Sequence, residues 1–146
     1  MSPEEKTPTK TKKTKKNYIS AVGRRKTATA RVRLYLKQKG DIEVNGINIE
    51  EYFPGEVNKS KYMEPLRTCN LIGKNKITAK VSGSGKNGQL DAVVHGMARC
   101  LDKMDPDKFH PILKKRGLLT RDPRAKERRK AGRGGRARAK KQSPRR

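Results

Sequence analysis

Gly83-Ser84-Gly85-Lys86-Asn87-Gly88 is the stretch whose residue types and spacing come closest to a piece of chemistry. It satisfies G-x-G-x-x-G, follows a strand pattern and opens the clearest helix pattern in the chain. In that setting glycines can admit a pyrophosphate to a helix N-terminus. The remainder of a dinucleotide site is missing. No third strand with an acidic residue follows about 20 positions on, because Asp102, Asp105 and Asp107 lie at or just past the helix end and a basic region begins beyond Pro111. Lys86 is followed by Asn87 instead of Ser or Thr, so the P-loop pattern fails as well. What survives is an affinity for phosphate: glycines permit close approach, and the first helical turn offers unpaired amides and positive potential. An RNA backbone suits that as well as a cofactor does, and a turn with no ligand is the bland alternative. Lys86 is the loop's candidate contact.

The other chemistry-bearing side chains are sparse. Cys69 and Cys100 are widely separated with no Cys-x-x-Cys pair, and only His95 and His110 could complete a metal site. His95 and Cys100, five positions apart, point to different sides of a helix, so no metal is expected and both thiols read as buried. His95 reads as a hydrogen-bonded or surface histidine, not a catalytic one. No Ser-His-acid set and no paired carboxylates can be placed. The chain does not read as an enzyme, and neither a cofactor nor a small-molecule substrate is expected.

Charge is where the sequence is most explicit. The formal net charge is +25, and residues 112–146 hold sixteen Lys or Arg against Asp122 and Glu127. From Ala125 onward there is no Val, Ile, Leu, Met or aromatic residue. Such a segment cannot repay its own ordering entropy by burial and must take its shape from a polyanion. Residues 1–17 form a second basic arm without periodicity. Neither arm has the apolar face a membrane surface requires, so nucleic acid is the expected partner and membrane is not. No run approaches a spanning helix and the start lacks a secretory apolar region, so a cytoplasmic protein is expected.

Between the arms, residues 18–111 read as one globular domain. Ala28, Ala30, Val32, Leu34 and Leu36 alternate with Thr29, Arg31, Arg33 and Tyr35, a strand with one buried and one basic face. Asn45-Gly46 between Ile42-Glu43-Val44 and Ile47-Asn48-Ile49 predicts a type I′ hairpin. A short helix is expected over about 58–70, despite Pro65. Lys76–Ser82 alternates again, with Ile77, Ala79 and Val81 facing inward. Leu90, Val93, Val94, Met97, Leu101 and Met104 then form one stripe at helical spacing, with His95, Arg99 and Lys103 on the opposite face. A short basic helix from about Lys108 to Arg116 follows Asp105-Pro106. The sum is about four strands and two or three helices, an α/β (α+β) domain.

Several blocks together resemble one family: Gly23-Arg24-Arg25-Lys26-Thr27-Ala28 with Thr29-Ala30-Arg31-Val32-Arg33, Val44-Asn45-Gly46 with Tyr52-Phe53-Pro54, Gly83 to Gly88 leading to His95-Gly96-Met97-Ala98-Arg99, and Leu118-Leu119-Thr120-Arg121-Asp122-Pro123-Arg124 with Glu127-Arg128-Arg129-Lys130. This resembles small-subunit ribosomal protein nine, in its bacterial form, over about 18–146. The resemblance implies a four-stranded sheet backed by helices, in the fold of the second domain of small-subunit ribosomal protein five, with a long extended basic tail. It implies a place in the ribosome, on the 3′ major domain of the small-subunit rRNA and beside neighbouring head proteins. It also implies a tail that threads rRNA toward peptidyl-site tRNA, with Arg145 and Arg146 as the tRNA-reaching end. Here the family's aromatic and Ser-Lys-Arg ending is replaced by Gln142-Ser143-Pro144-Arg145-Arg146.

The candidate rRNA surface is the basic face of the first alternating strand and the turn before it: Arg24, Arg25, Lys26, Arg31 and Arg33. To these are added Lys114, Lys115 and Arg116, then Arg121, Arg124, Arg128, Arg129 and Lys130. Farther along the tail, Arg133, Arg136 and Arg138 can each fork two donors onto phosphate oxygens, with Gly132, Gly134 and Gly135 allowing tight bends. A free-standing basic RNA-binding or chaperone protein is the alternative that composition alone leaves open.

Overall fold

The computed structural model describes residues 17–132. The chain builds β1 (Tyr18–Arg25), β2 (Ala28–Tyr35), β3 (Ile42–Val44), β4 (Ile47–Asn48), α1 (Ile49–Tyr52), α2 (Glu56–Thr68), β5 (Lys76–Ser82), α3 (Lys86–Met104) and α4 (Pro106–Lys115). The strands form one mixed sheet in the order β1-β2-β5-β3-β4, antiparallel throughout except for β3 beside β5. That parallel pair needs a crossover, and α1 and α2 supply it. The helices cover one face of the sheet, with α3 lying across β1 and β2. The other face is open.

The two alternating strands stand as expected: Ala28, Ala30, Val32 and Leu34 are buried on β2, and Ile77, Ala79 and Val81 on β5. Leu36 lies past the end of β2 and is exposed. Asn45 and Gly46 both take positive φ, 53° and 85°, in the hairpin between β3 and β4. Asn45 does more than turn. Its amide side chain accepts from the Val81 N–H at 2.9 Å and donates to the Val81 carbonyl at 3.2 Å, extending the β3–β5 ladder by one residue. The expected strand through Ile49 stops at Asn48, whose side chain accepts from the Glu50 N–H at 3.0 Å and so starts α1.

The sheet has five strands, not four, and β1 is the addition. Its inward positions Ala21 and Gly23 are too small to show as a hydrophobic alternation. They are small because α3 presses on them. A Cβ placed on Gly23 would lie 1.9 Å from the Ala92 carbonyl oxygen, and one on Gly96 would lie 2.6 Å from Val32 Cγ2 and 3.2 Å from the Gly23 nitrogen. On α3, Leu90, Val93, Met97 and Leu101 are fully buried, with Val94 and Met104 half-buried at the margin.

His95, Arg99 and Lys103 stand off the apolar stripe as the periodicity suggests, Arg99 and Lys103 exposed and His95 half-buried, but they are not idle. Spaced four apart along α3, they reach the outer edge of β1. His95 Nδ1 accepts from the Arg24 N–H at 3.3 Å, Arg99 donates to the Val22 carbonyl at 2.5 Å, and Lys103 donates to the Ser20 carbonyl at 3.0 Å. Cys69 and Cys100 are free and buried, and desolvation pushes each thiol up to about 11, so neither is a nucleophile near neutral pH.

Candidate nucleic-acid interface

Three sequence blocks far apart in the chain meet at one corner of the molecule. The first is the turn between β1 and β2, with Arg24, Arg25 and Lys26. Arg25 pairs with Ala28 across it, and Lys26 takes φ 52°. The second is the glycine loop before α3. Gly83, with φ 79°, packs so closely on that turn that a Cβ would lie 2.5 Å from the Thr27 carbonyl oxygen. The third is the chain after α4. There Gly117, with φ 71°, ends the helix by donating to the Lys114 carbonyl at 2.9 Å, while Leu118 N–H reaches Leu113 at 3.1 Å. The chain is thereby turned back over α3.

Arg25 holds the third block to the first two. Its guanidinium lies 3.0 Å from Asp122 and 3.5 Å from Asp91 on α3, and it donates to the Arg124 carbonyl at 2.5 Å. With a side chain only 14% exposed, Arg25 is spent largely on holding the docked segment in place. Asp122 is itself gripped by Arg124, at 2.7 Å and 3.0 Å, and accepts from the Arg124 N–H at 2.9 Å. Those bonds from Arg124, with a smaller contribution from Arg25, hold its carboxyl far below the usual carboxylate range.

His95 completes the attachment, its Nε2 lying 3.3 Å from the Leu119 carbonyl. Since Nδ1 accepts from Arg24, Nε2 must carry the proton and donate; the neutral ring satisfies both partners. Burial lowers the pKa of His95, the Leu119 hydrogen bond opposes this, and Arg99 and Arg121 lower it further. Around the ring stand Arg24 and Arg25 from β1, Asp91 and Arg99 from α3, and Arg121 and Asp122 from the docked segment. A histidine depressed in the folded state contributes stability that is full above its unfolded pKa, near 6.5, and is lost as pH falls through its folded value. Amide exchange protection over Leu118–Arg124 is therefore expected to fall as pH drops below about 6.5, and His95→Gln should remove that dependence. Exchange rates corrected for intrinsic chemistry check this, and a flat wild-type profile from pH 7 to pH 5 refutes it.

The docked segment reaches into what the sequence assigns to the basic extension. The 111/112 division falls inside α4, Leu113 is fully buried, and Leu118 and Leu119 pack against the core. Lys114, Lys115 and Arg116 are exposed at the end of α4, with Arg116 3.7 Å from Glu64. Arg121, Arg128, Arg129 and Lys130 are exposed beyond it, and Arg124 is exposed but tied to Asp122. Arg133, Arg136, Arg138, Arg145 and Arg146 lie outside the described residues, as does the arm through residue 16. In the glycine loop, α3 starts after Gly85 without a side-chain cap or an acidic residue in its first turn. Lys86 bends away to sit 3.5 Å from the centre of the Tyr52 ring, donating to the Tyr52 carbonyl at 3.4 Å.

The open sheet face carries the second part of the surface. Arg31 and Arg33 project from β2 as expected, and the register places Arg24 on the same side. Lys80 was not among the residues singled out from the sequence. Strand β5 sets it directly opposite Arg31, and its place in the Lys76–Ser82 alternation was the available signal. Among the described residues no cluster of His, Cys, Asp and Glu is placed to hold a metal, and no helix is long and apolar enough to cross a membrane.

Comparison with known proteins agrees with these blocks. The family model described as ribosomal protein S9/S16 matches residues 23–146. The chain is similar to small ribosomal subunit protein uS9 of Cutibacterium acnes, 44% identical over 113 residues, covering 77% of this chain and 65% of that protein. It is 45% identical to the uS9 of Anaeromyxobacter sp. strain K over 114 residues, 78% and 86% of the two chains. With that of Maridesulfovibrio salexigens the identity is 46% over 125 residues, 86% and 94% of the two chains. A chain whose three basic blocks converge on one corner, and which this family model covers almost from end to end, belongs to the ribosomal protein S9/S16 family.

Proposed function

We propose that this protein is a structural, non-catalytic constituent of the small ribosomal subunit in the cytoplasmic ribosome. It binds the 3′ major domain of the rRNA in the subunit head, beside neighbouring head proteins, and its C-terminal end lies near peptidyl-site tRNA. The observation that carries this is the convergence of the Arg24–Lys26 turn, the Gly83–Gly88 loop and the Arg121–Lys130 segment at one corner, held there by Arg25. The corner presents cations and uncapped amides together, a combination that favours phosphate oxygens. A sheet with all helices on one side also suits the fold of the second domain of ribosomal protein five.

In this reading the domain positions the protein on folded rRNA and the tail supplies phosphate neutralisation without reading sequence. Removing Gln142 to Arg146 should leave folding and incorporation into the subunit intact while weakening tRNA binding at the peptidyl site. Filter binding of tRNA to subunits reconstituted with the shortened protein tests it. Equal affinity with and without those five residues refutes the role of the terminus, and failure of the full chain to sediment with the subunit at moderate salt refutes the ribosomal assignment itself.

A further inference from the structure

The open face of the sheet holds two aromatic side chains that neither the core nor the docked segment uses. Tyr18 and Tyr35 are cross-strand partners on β1 and β2, with ring centres 5.7 Å apart and planes tilted by 53°. Both are half-exposed, and the Arg33 guanidinium lies 5.1 Å from the centre of the Tyr18 ring. Two residues along β2, Arg31 stands directly opposite Lys80. Like charges at such a position destabilise an isolated sheet. Among the described residues no acid pairs with them: Glu43 is the one acidic residue in the five strands, and Lys76 engages it at 2.7 Å. The face therefore joins half-exposed rings to cations that have no acidic partner among the described residues.

We infer that this face is a platform for unpaired RNA. A splayed base stacks at the Tyr18–Tyr35 pair beside the Arg33 guanidinium, and the phosphates of flanking nucleotides lie on Arg31 and Lys80. The rings distinguish this from a phosphate surface alone. A duplex offers phosphates to Arg31 and Lys80, but its bases are stacked on each other and present no face to the tyrosines. Unpaired strands do, and base–aromatic stacking tolerates any sequence. The inference rests on the RNA-binding reading above and adds to it the kind of RNA and the residues that select it.

The test uses the full chain and three probes: an unpaired RNA of about eight nucleotides, the same backbone with abasic positions, and a duplex with an equal number of phosphates. The tail binds all three through charge, so selectivity is read as the ratio of dissociation constants. Tyr18→Leu with Tyr35→Leu is expected to weaken binding of the unpaired RNA about tenfold or more. Affinity for the abasic and duplex probes, and the salt dependence, should stay unchanged. Tyr18→Phe with Tyr35→Phe keeps the rings and should keep the selectivity, separating loss of stacking from loss of packing. Unchanged binding of unpaired RNA by the leucine variant overturns the inference, as does an equal loss on all three probes. If the wild-type chain binds all three alike, the platform alone fails; if it binds none, the RNA-binding reading fails with it.

Discussion

Replacing Gly96 by Ala is expected to lower the melting temperature by about 10 °C or more, and Gly23→Ala to do at least as much. The sign is informative because two effects compete. In the interior of a 19-residue helix, alanine in place of glycine gains about 1 kcal/mol from propensity. Against that, the Gly96 Cβ would meet Val32 Cγ2 at 2.6 Å and the β1 backbone at 3.2 Å, and the Gly23 Cβ would meet the Ala92 carbonyl at 1.9 Å. Backbone in a packed sheet cannot step aside as the end of a long side chain can, so α3 must lift from β1. Overpacking of this kind costs on the order of 3 kcal/mol, and each kcal/mol is worth about 4–8 °C in a domain of this size. Gly85→Ala is the control: φ is −93° and nothing lies within 4 Å of its Cβ. It should lose only what alanine costs in place of glycine at a helix N-cap, about 1 kcal/mol or less, and so melt above both packed-glycine variants. A Gly96→Ala variant that melts higher than wild type would show that helix propensity wins and that the close approach is not rigid.

The second large effect concerns charge. Ending the chain after Gly132 removes Arg133, Arg136, Arg138, Lys140, Lys141, Arg145 and Arg146. With every one of them on a phosphate, the log–log salt slope for RNA binding should become shallower by about 5 to 6. Between 50 and 200 mM salt, the full chain should then lose about a thousandfold more affinity than the shortened one. Melting should not change, because among the described residues the buried side chains all lie between Ala21 and Leu113. Anisotropy titrations of one labelled RNA across that salt range measure it. Parallel slopes for the two chains would mean that these cations stay in solvent and that the folded domain does the binding.

Much of the architecture could be read from residue order where side chains differ strongly in polarity. Strands β2 and β5, the Asn45-Gly46 hairpin and α3 are all written as clear alternations or stripes; the strands are found within a residue or two, and α3 starts at Lys86, four residues ahead of its apolar stripe and inside the glycine loop. Strand β1 was not legible as a strand, since a face built of Ala21 and Gly23 carries almost no hydrophobic contrast. Its identity depends on a helix that arrives some 70 residues later. Arg25 shows the same limit for the site: in the run Arg24-Arg25-Lys26 nothing distinguishes it, yet only Arg25 finds Asp91, Asp122 and the Arg124 carbonyl. Tertiary partners decide whether such a cation meets RNA or holds the protein together. Lys80 was legible in principle, because the alternation that buries Ala79 and Val81 exposes it.

The row of His95, Arg99 and Lys103 along β1 has a consequence beyond folding. An unpaired strand border is a template on which further copies can add, and proteins left with one tend toward fibres. Here three of the border's polar groups, the Arg24 N–H and the Val22 and Ser20 carbonyls, already have partners in the same molecule. Side chains laid along that border leave a second copy fewer groups to pair with there, so the same three residues that dock α3 also blunt the edge of the sheet.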